Sequence, residues 1–438
     1  VLSAAPADVV GVGGMAEAGL LVDRKTGSPR SEIIPWYDPR STPQTDTIGS
    51  LEPVERGYRR SGLHLSFKYS LSKIMWLAER DPEVLRDAVW LSVPDYLVFR
   101  LTGAMATDPT LAARTYAFDL FAGRWDEDWI GRVGLDPALF PRLRPSGFPA
   151  GEVSAEAAAA CRLAAGTPVA VSGHDHLCAL LGAGIVEAGP VLDSMGTAES
   201  LLGVLSHVSG DAFASGLTIA PHVLAGRYCW LGGLPASGGS VEWIRRQLSE
   251  QPLPYGEVER LARGAGPRPT RIIYFPYLTG SGAPWHDAHV RAAFLGLRMD
   301  HTRGHVIRGV LEGTAFETRS MQHAAEGLTG SGLTEVVTVG GGTRNREWLQ
   351  IKADVTGKRH LVPEDEEAVV RGAAYTAAVG ARMLDLEALP SLTMAATIEP
   401  NPERFAEYQT LYEEYRRFQG PLHRRDAPLE AHVGPVRV

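Results

Sequence analysis

The sequence predicts an α/β fold of two or three domains, and three observations carry that prediction. Short β-branched runs end in glycine turns that open into helical patterns, at 168–181 and again at 335–355. A carboxylate, Asp175, stands at the carboxyl end of the first of these strands, where open α/β sheets usually meet their ligands. At 438 residues the chain is long enough for more than one core.

Composition narrows the function classes. A formal net charge of -8 without a basic cluster argues against nucleic acid or a membrane surface as the main partner. No apolar run reaches the length of a membrane span and no leader is visible, so a cytoplasmic protein is expected. Cys161, Cys178 and Cys229 are far apart, odd in number and without C-x-x-C spacing, which reads as reduced core residues.

Taken in order, the chain opens inside what reads as the last turns of a helix, 1–7, feeding a core strand over 8–12. Residues 9–16 match the outline of a dinucleotide-binding glycine fingerprint, but that fingerprint needs a helix next. Residues 19–23 read as another strand followed by a turn at Lys25-Thr26-Gly27, so the match is discounted. Glu17 lies at the end of the first strand. Trp36, Asp38 and Arg40 bring an aromatic, an acid and a base together; a core tryptophan beside surface charge is the plain account. Residues 67–80 carry Leu71, Ile74, Met75 and Leu77 at helical spacing, and Asp81-Pro82 caps and opens the next helix. Thr107-Asp108 to Thr115 reads as a polar loop, and 130–165 as short helices between turns.

Beyond 185, strands are predicted at 190–193, 218–223 and 227–231. Gly232-Gly233 and the cluster Ser237-Gly238-Gly239-Ser240 follow and open a helix over 241–248. A strand at 272–277 leads into the loop 278–285, and Thr302 caps a long helix to about 326. The strand 335–339 runs into Gly340 to Asn345 and a helix through 355. The small-residue-rich helix 366–383 is expected to pack closely, 402–418 to be helical, and the chain from Gly420 to be loose.

The stretch 168–200 organises the rest. Its first strand ends at Gly173, Asp175 follows between His174 and His176, and a helix begins over 177–181. Its second strand ends in Met195-Gly196-Thr197-Ala198, where glycine and a hydroxyl allow a phosphate close approach. The plain alternatives are an aspartate that caps a helix and a turn without a ligand. Glycine-rich turns at Gly238 and Gly341 add free N–H groups at helix amino ends, which suit phosphates. No G-x-x-x-x-G-K-[ST] run is present, which excludes a P-loop enzyme.

Several segments, in this order and spacing, resemble the FGGY family of carbohydrate kinases, the relatives of glycerol kinase and xylulokinase. They are Trp36-Tyr37-Asp38-Pro39-Arg40, Asp95-Tyr96 through Leu101-Thr102-Gly103 to Thr107-Asp108, Ser172-Gly173-His174-Asp175 and Met195-Gly196-Thr197. To these are added 238–243, YFPYLTGSGAPWHD at 274–287 and VGGGTRNREWLQIKADVTG at 339–357, so that the likeness runs over about 8–417. The resemblance implies two actin-like, ribonuclease-H-like ATPase domains with the active site in the cleft between them. Residues 1–184 would form the sugar side, 185–420 the nucleotide side and 421–438 a tail. It implies ATP-dependent phosphorylation of a hydroxyl group of a sugar, ketose or polyol, with ATP and Mg2+ as cofactors. The implied partner is a small molecule; the oligomeric state is open, a homodimer included.

Carried over position by position, Asp175 matches the family's general base, while Glu17 and Trp36 match sugar contacts, with His176 beside them. Gly196 and Thr197 match the turn near the transferred phosphates, Gly238 and Glu242 a nucleotide-contacting pair, and Gly341 and Asn345 the adenosine site. The sequence also departs from the family. Members begin with a hairpin bearing Asp-x-Gly-Thr that holds phosphate and magnesium, and no such motif stands before Asp8. Residues 1–438 alone are therefore expected to be poorly soluble or catalytically feeble. Met15-Ala16-Glu17 lacks the glutamine-arginine that precedes the glutamate in glycerol kinases, which counts against glycerol. His174 and His176 also differ from the glycerol and xylulose subgroups. Three rival readings are an impaired member that binds sugar or nucleotide, a metal-dependent phosphohydrolase built on His174-Asp175, and an actin-like structural or chaperone ATPase.

Overall fold

A computed structural model describes residues 7–207 and 212–423. The strand Pro168–His174 is the centre of a three-stranded sheet, parallel to Val10–Gly14 and antiparallel to Pro149–Glu152. Val169, Ala170 and Val171 are all buried, so the strand reads as a continuous apolar run rather than an alternating one. After Gly14 the chain goes to a second strand, Gly19–Asp23, paired with Ala88–Ser92, and no helix follows the glycines. The helix expected over 67–80 is Ser70–Arg80, with Leu71, Ile74 and Met75 buried as their spacing predicts.

The larger sheet has seven strands, in the order Thr218–Pro221, Tyr228–Leu234, Glu199–Leu205, Val191–Met195, Val336–Val339, His360–Pro363 and Met394–Ile398. The strand Glu199–Leu205 is absent from the sequence reading, which passed from the Gly-Thr turn straight to 218. It pairs antiparallel with Val191–Met195, which makes 196–198 a hairpin turn rather than a strand-to-helix turn. Leu201 and Leu202, on opposite faces, are both buried, so the period-two alternation that marks a half-buried strand is missing. Gly232 and Gly233 also lie inside a strand rather than beyond it. The helices Gly238–Gln247, Arg303–Thr329 and Arg346–Thr356 follow the predicted starts closely, with Thr302 and Asn345 at the N-cap positions of the last two.

The end of the chain differs from expectation. The helix Pro402–His423 continues past Gly420, and the His423 ring stacks on Trp285 at 4.6 Å. The rest of the tail, 424–438, and nearly all of the helix expected over 1–7 lie outside the described residues.

The small-residue helix, Ala368–Gly380, does pack closely, and it does so against the first sheet and the helix Asp175–Gly182. A Cβ on Gly372 would lie 1.7 Å from the Cys178 carbonyl oxygen, so only glycine lets the two backbones meet. Ser172 Oγ donates to the Ala373 carbonyl at 2.7 Å. A late helix is thereby locked to the strand that carries Asp175.

Candidate active site

A cavity of about 340 Å³ opens between the two sheets, and Asp175 enters it from the first turn of the helix Asp175–Gly182. His174 occupies the N-cap position and makes no capping bond. Asp175 Oδ1 accepts the His176 N–H at 2.7 Å and faces His174 Nε2 at 3.1 Å. Its Oδ2 has no hydrogen-bond partner among the described residues, and the side chain stays 31% exposed. Helix capping therefore does not account for this aspartate. Burial alone would raise its pKa, but the His174 ring, through charge and hydrogen bond, and then His176 hold it well below the usual carboxylate range. Burial dominates at His176 and lowers its pKa, which leaves a neutral imidazole near pH 7.

Glu17, Trp36 and His176 line the same cavity. Glu17 Oε1 takes two hydrogen bonds from Arg114, from Nε at 3.0 Å and Nη2 at 2.5 Å. Burial pushes the Glu17 pKa up, but Arg114 and then Lys68 pull it down to about 2. The buried Lys73 Nζ donates to the carbonyls of Glu17 at 2.6 Å and Pro35 at 3.0 Å, tying the glutamate's segment to that of Trp36. Trp36 is 44% exposed at the cavity, so the core-tryptophan account does not hold.

Arg114 is a wall residue that the sequence reading missed. It lay in a stretch taken as a polar loop, whereas Pro109–Ala112 is a short helix capped by Asp108. An arginine inside the apolar run LAARTYAF was the available signal, since such a charge needs a buried partner. Asp108 is structural: it accepts the Thr110 and Leu111 N–H groups and the hydroxyls of Thr110 and Ser146.

The second cavity, about 800 Å³, is lined by Gly196, Thr197, Gly238, Glu242, Gly341 and Asn345, together with Arg245 and Tyr255. Backbone bonds stitch its glycine turns together, Gly238 N–H to Gly196 O at 3.1 Å and Gly239 N–H to Thr197 O at 2.9 Å. A Cβ on Gly238 would lie 2.4 Å from Gly196 O, so this glycine serves the contact between turns. At Gly341 a Cβ would meet nothing within 4 Å, and the backbone there faces open space. Asn345 Oδ1 accepts the Trp348 N–H at 3.0 Å and so caps the helix it opens. Glu242 is engaged by Arg245, Arg246 and the Tyr255 hydroxyl.

Behind the hairpin turn lies a charge network that no sequence pattern signalled. Lys352 Nζ, wholly buried, donates to Asp193 at 2.9 Å, Glu199 at 2.5 Å and the Thr318 hydroxyl at 2.8 Å. Ser237 Oγ, next to Gly238, donates to the other Glu199 oxygen at 2.6 Å. Asp193 and Glu199 flank the turn 196–198, so Lys352 ties both arms of the hairpin to the helix Arg346–Thr356.

The described residues do not assemble a magnesium site of their own. Both oxygens of Glu199 are engaged, Asp193 is sealed from the cavities, and the open carboxylate oxygens of the smaller cavity, Asp175 Oδ2 and Glu17 Oε2, come from separate segments. Magnesium held by protein takes one or two carboxylates plus phosphate and water. His174, Asp175 and His176 bring potential ligand atoms within 4.8 Å of one another, but no further acid or histidine joins them among the described residues. This leaves the phosphohydrolase reading without its remaining ligands. No helix among the described residues is long and apolar enough to cross a membrane.

A carboxylate-bearing cavity between the two sheets, beside a glycine-walled cavity formed by residues 195–348 alone, in a fold of two actin-like domains, fits a class of two-domain phosphotransferases. The comparisons then identify the family. The amino-terminal domain profile of the FGGY family of carbohydrate kinases matches residues 2–182, and its carboxyl-terminal domain profile matches 193–381. The chain belongs to the FGGY family of carbohydrate kinases and is a carbohydrate kinase. It is 34% identical over 431 residues to glycerol kinase of Thermus brockianus, covering 93% of this chain and 83% of that one. It is 29% identical over 422 residues to xylulose kinase of Bacillus subtilis, covering 93% and 82%. The solved xylulose kinase of Rhodospirillum rubrum superposes with a TM-score of 0.86 at 26% identity, over 96% of this chain and 86% of that one.

Proposed function

We propose that the protein transfers the γ-phosphoryl group of ATP to a hydroxyl of a sugar, ketose or polyol, with Asp175 as general base. The observation that carries this reading is the open Oδ2 of Asp175, in a cavity that meets the glycine-walled one at the turn 196–198. The acceptor oxygen forms its bond to the γ-phosphorus, the bond to the β-bridging oxygen breaks, ADP leaves, and the hydroxyl proton passes to Oδ2. A carboxylate with a depressed pKa is a weak base, so the proton moves late, as the new bond makes the hydroxyl acidic. That timing suits a loose transition state in which positioning dominates.

Thr197 and the free N–H of Gly341 hold phosphate oxygens, Gly196 and Gly238 shape the wall through the bond between their turns, and Asn345 and Glu242 flank the nucleoside end. Magnesium would arrive with ATP and neutralise its phosphates. Glu17 keeps one oxygen for acceptor hydroxyls, the exposed Trp36 offers its face to carbon-bound hydrogens, and neutral His176 supplies a ring nitrogen. The missing glutamine-arginine before Glu17 counts against glycerol as the acceptor. We assign 1–184 to the acceptor side and 185–420 to the nucleotide side, with the helix Ala368–Gly380 bridging them.

The test is Asp175→Asn in the full-length protein. ADP release with the true acceptor is expected to fall by about 10²–10⁴, while calorimetry finds ATP binding unchanged. Turnover near that of the parent would remove Asp175 from the role of base.

A further inference from the structure

The charges around the smaller cavity do not cancel evenly along its length. The Glu17 carboxylate is neutralised by Arg114, and Glu199 by the buried Lys352 behind it. His176 and His286 have their pKa values lowered by burial, which leaves both rings uncharged near neutral pH. Asp175 has the His174 ring beside its occupied oxygen, and one cation on the wall, Lys68, is left without an anion at ion-pair distance. Among the described residues Lys68 Nζ has no hydrogen bond and no ion pair; it lies 5.4 Å from the centre of the Tyr69 ring and acts on the Glu17 carboxylate only from a longer distance. A ring face and a carboxylate out of contact only partly replace the hydration that this half-buried ammonium gives up, and a ligand anion would supply the missing partner.

Resting on the kinase reading above, we propose that the acceptor is a polyhydroxy carboxylic acid, an aldonate or related sugar acid, whose carboxylate pairs with Lys68 while a hydroxyl meets Asp175. The opposite signs of the two groups orient such a molecule: Asp175 repels the carboxylate and Lys68 attracts it, so only the hydroxyl-bearing end approaches the phosphoryl donor. A carboxylate fits better than a phosphate already on the sugar. A phosphate monoester carries about -1.5 to -2 charges near neutral pH, and the single open ammonium matches one.

The experiment uses calorimetry and coupled ADP-release assays on the full-length protein. Its panel holds five- and six-carbon aldonates, the alditols and ketoses of matching configuration, and their monophosphates. At least one aldonate is expected to bind roughly ten- to a hundredfold more tightly than its alditol, the range of a charge-assisted hydrogen bond. In Lys68→Met and Lys68→Gln that preference is expected to fall to within about threefold of parity, with the thermal transition unmoved, because Lys68 lies in a turn outside the helix Ser70–Arg80. If no aldonate outbinds its alditol, if the preference survives both Lys68 variants, or if a monophosphate binds best, the acid assignment is overturned. Phosphorylation of neutral sugars alone would sink this inference and leave the kinase reading standing. Aldonate binding without phosphorylation of any compound would instead sink the kinase reading.

Discussion

At Asp175 the decisive feature is the use of its two oxygens. Oδ1 is occupied by a backbone N–H and a histidine ring, and Oδ2 is left for an acceptor. Because the pKa is depressed, the basic form is present at neutral pH and is lost only as pH falls through the depressed value. We expect kcat/KM to show no acid limb between neutrality and roughly the ordinary aspartate pKa of about 3.9. His174→Gln, which removes the main lowering influence and leaves burial less opposed, should bring a limb up toward that value or above it. A limb near the ordinary histidine pKa of about 6.5 in the parent protein would show that an imidazole, not Asp175, controls the profile. Glu17 behaves differently, since its first partner is Arg114 rather than a ligand. Glu17→Gln should destabilise the fold by about 3–5 kcal/mol by leaving a buried guanidinium unpaired. Adding Arg114→Gln should recover much of that in urea unfolding, and a single variant as stable as the parent would show the pair to be dispensable.

Among the elements, the hairpin Val191–Met195 to Glu199–Leu205 matters most, because its turn 196–198 separates the two cavities. Lys352 holds it from behind, between two carboxylates; burial and the neighbouring Glu199 push the Asp193 pKa up to about 7, and Lys352 opposes the rise. Lys352→Met leaves these acids facing each other without a cation. It is expected to cost about 3–5 kcal/mol, and the triple variant with Asp193→Asn and Glu199→Gln should regain more than half. The triple variant should also show a higher KM for ATP than the parent, because the turn has lost its anchor. An unchanged KM for ATP there would confine the network to stability.

For the whole molecule, the helix Ala368–Gly380 is the mechanical link. It comes late in the chain yet packs on the strand and helix on either side of Asp175. Gly372→Val would drive a side chain into the Cys178 carbonyl, and overpacking of this kind costs about 1–3 kcal/mol or more. Thermal unfolding followed by circular dichroism should show a lower midpoint, and kcat should fall with it, since the helix bearing Asp175 is displaced. A variant with the parent's midpoint and turnover would mean that the two backbones part without consequence.

Much of this was legible in the chain itself. Local signals sufficed wherever backbone chemistry is written in adjacent residues: the strand ending at Gly173, which the structure extends to His174, the cap at Thr302, the glycine turns, and the order of motifs that resembled the FGGY kinases. All ten residues singled out for the site do line the two cavities, four in the smaller and six in the larger. What escaped has a common physical cause. The strand Glu199–Leu205 is buried on both faces and so carries no alternation, and its partners lie elsewhere in the sequence. The Glu17–Arg114 pair spans 97 positions and the Lys352–Asp193 pair 159, so no local pattern encodes them. Likewise, the sequence marks the segment near Lys68 and Asp108 only as a second choice for acceptor contacts; that Lys68 has no anion in contact emerges once Arg114 has claimed Glu17 across the fold. Residue types and their order determined the kind of chemistry, because turns and caps are short-range. Which charges cancel, and which remain open to a ligand, only the tertiary structure decided, because pairing of buried charges is a contact between distant segments.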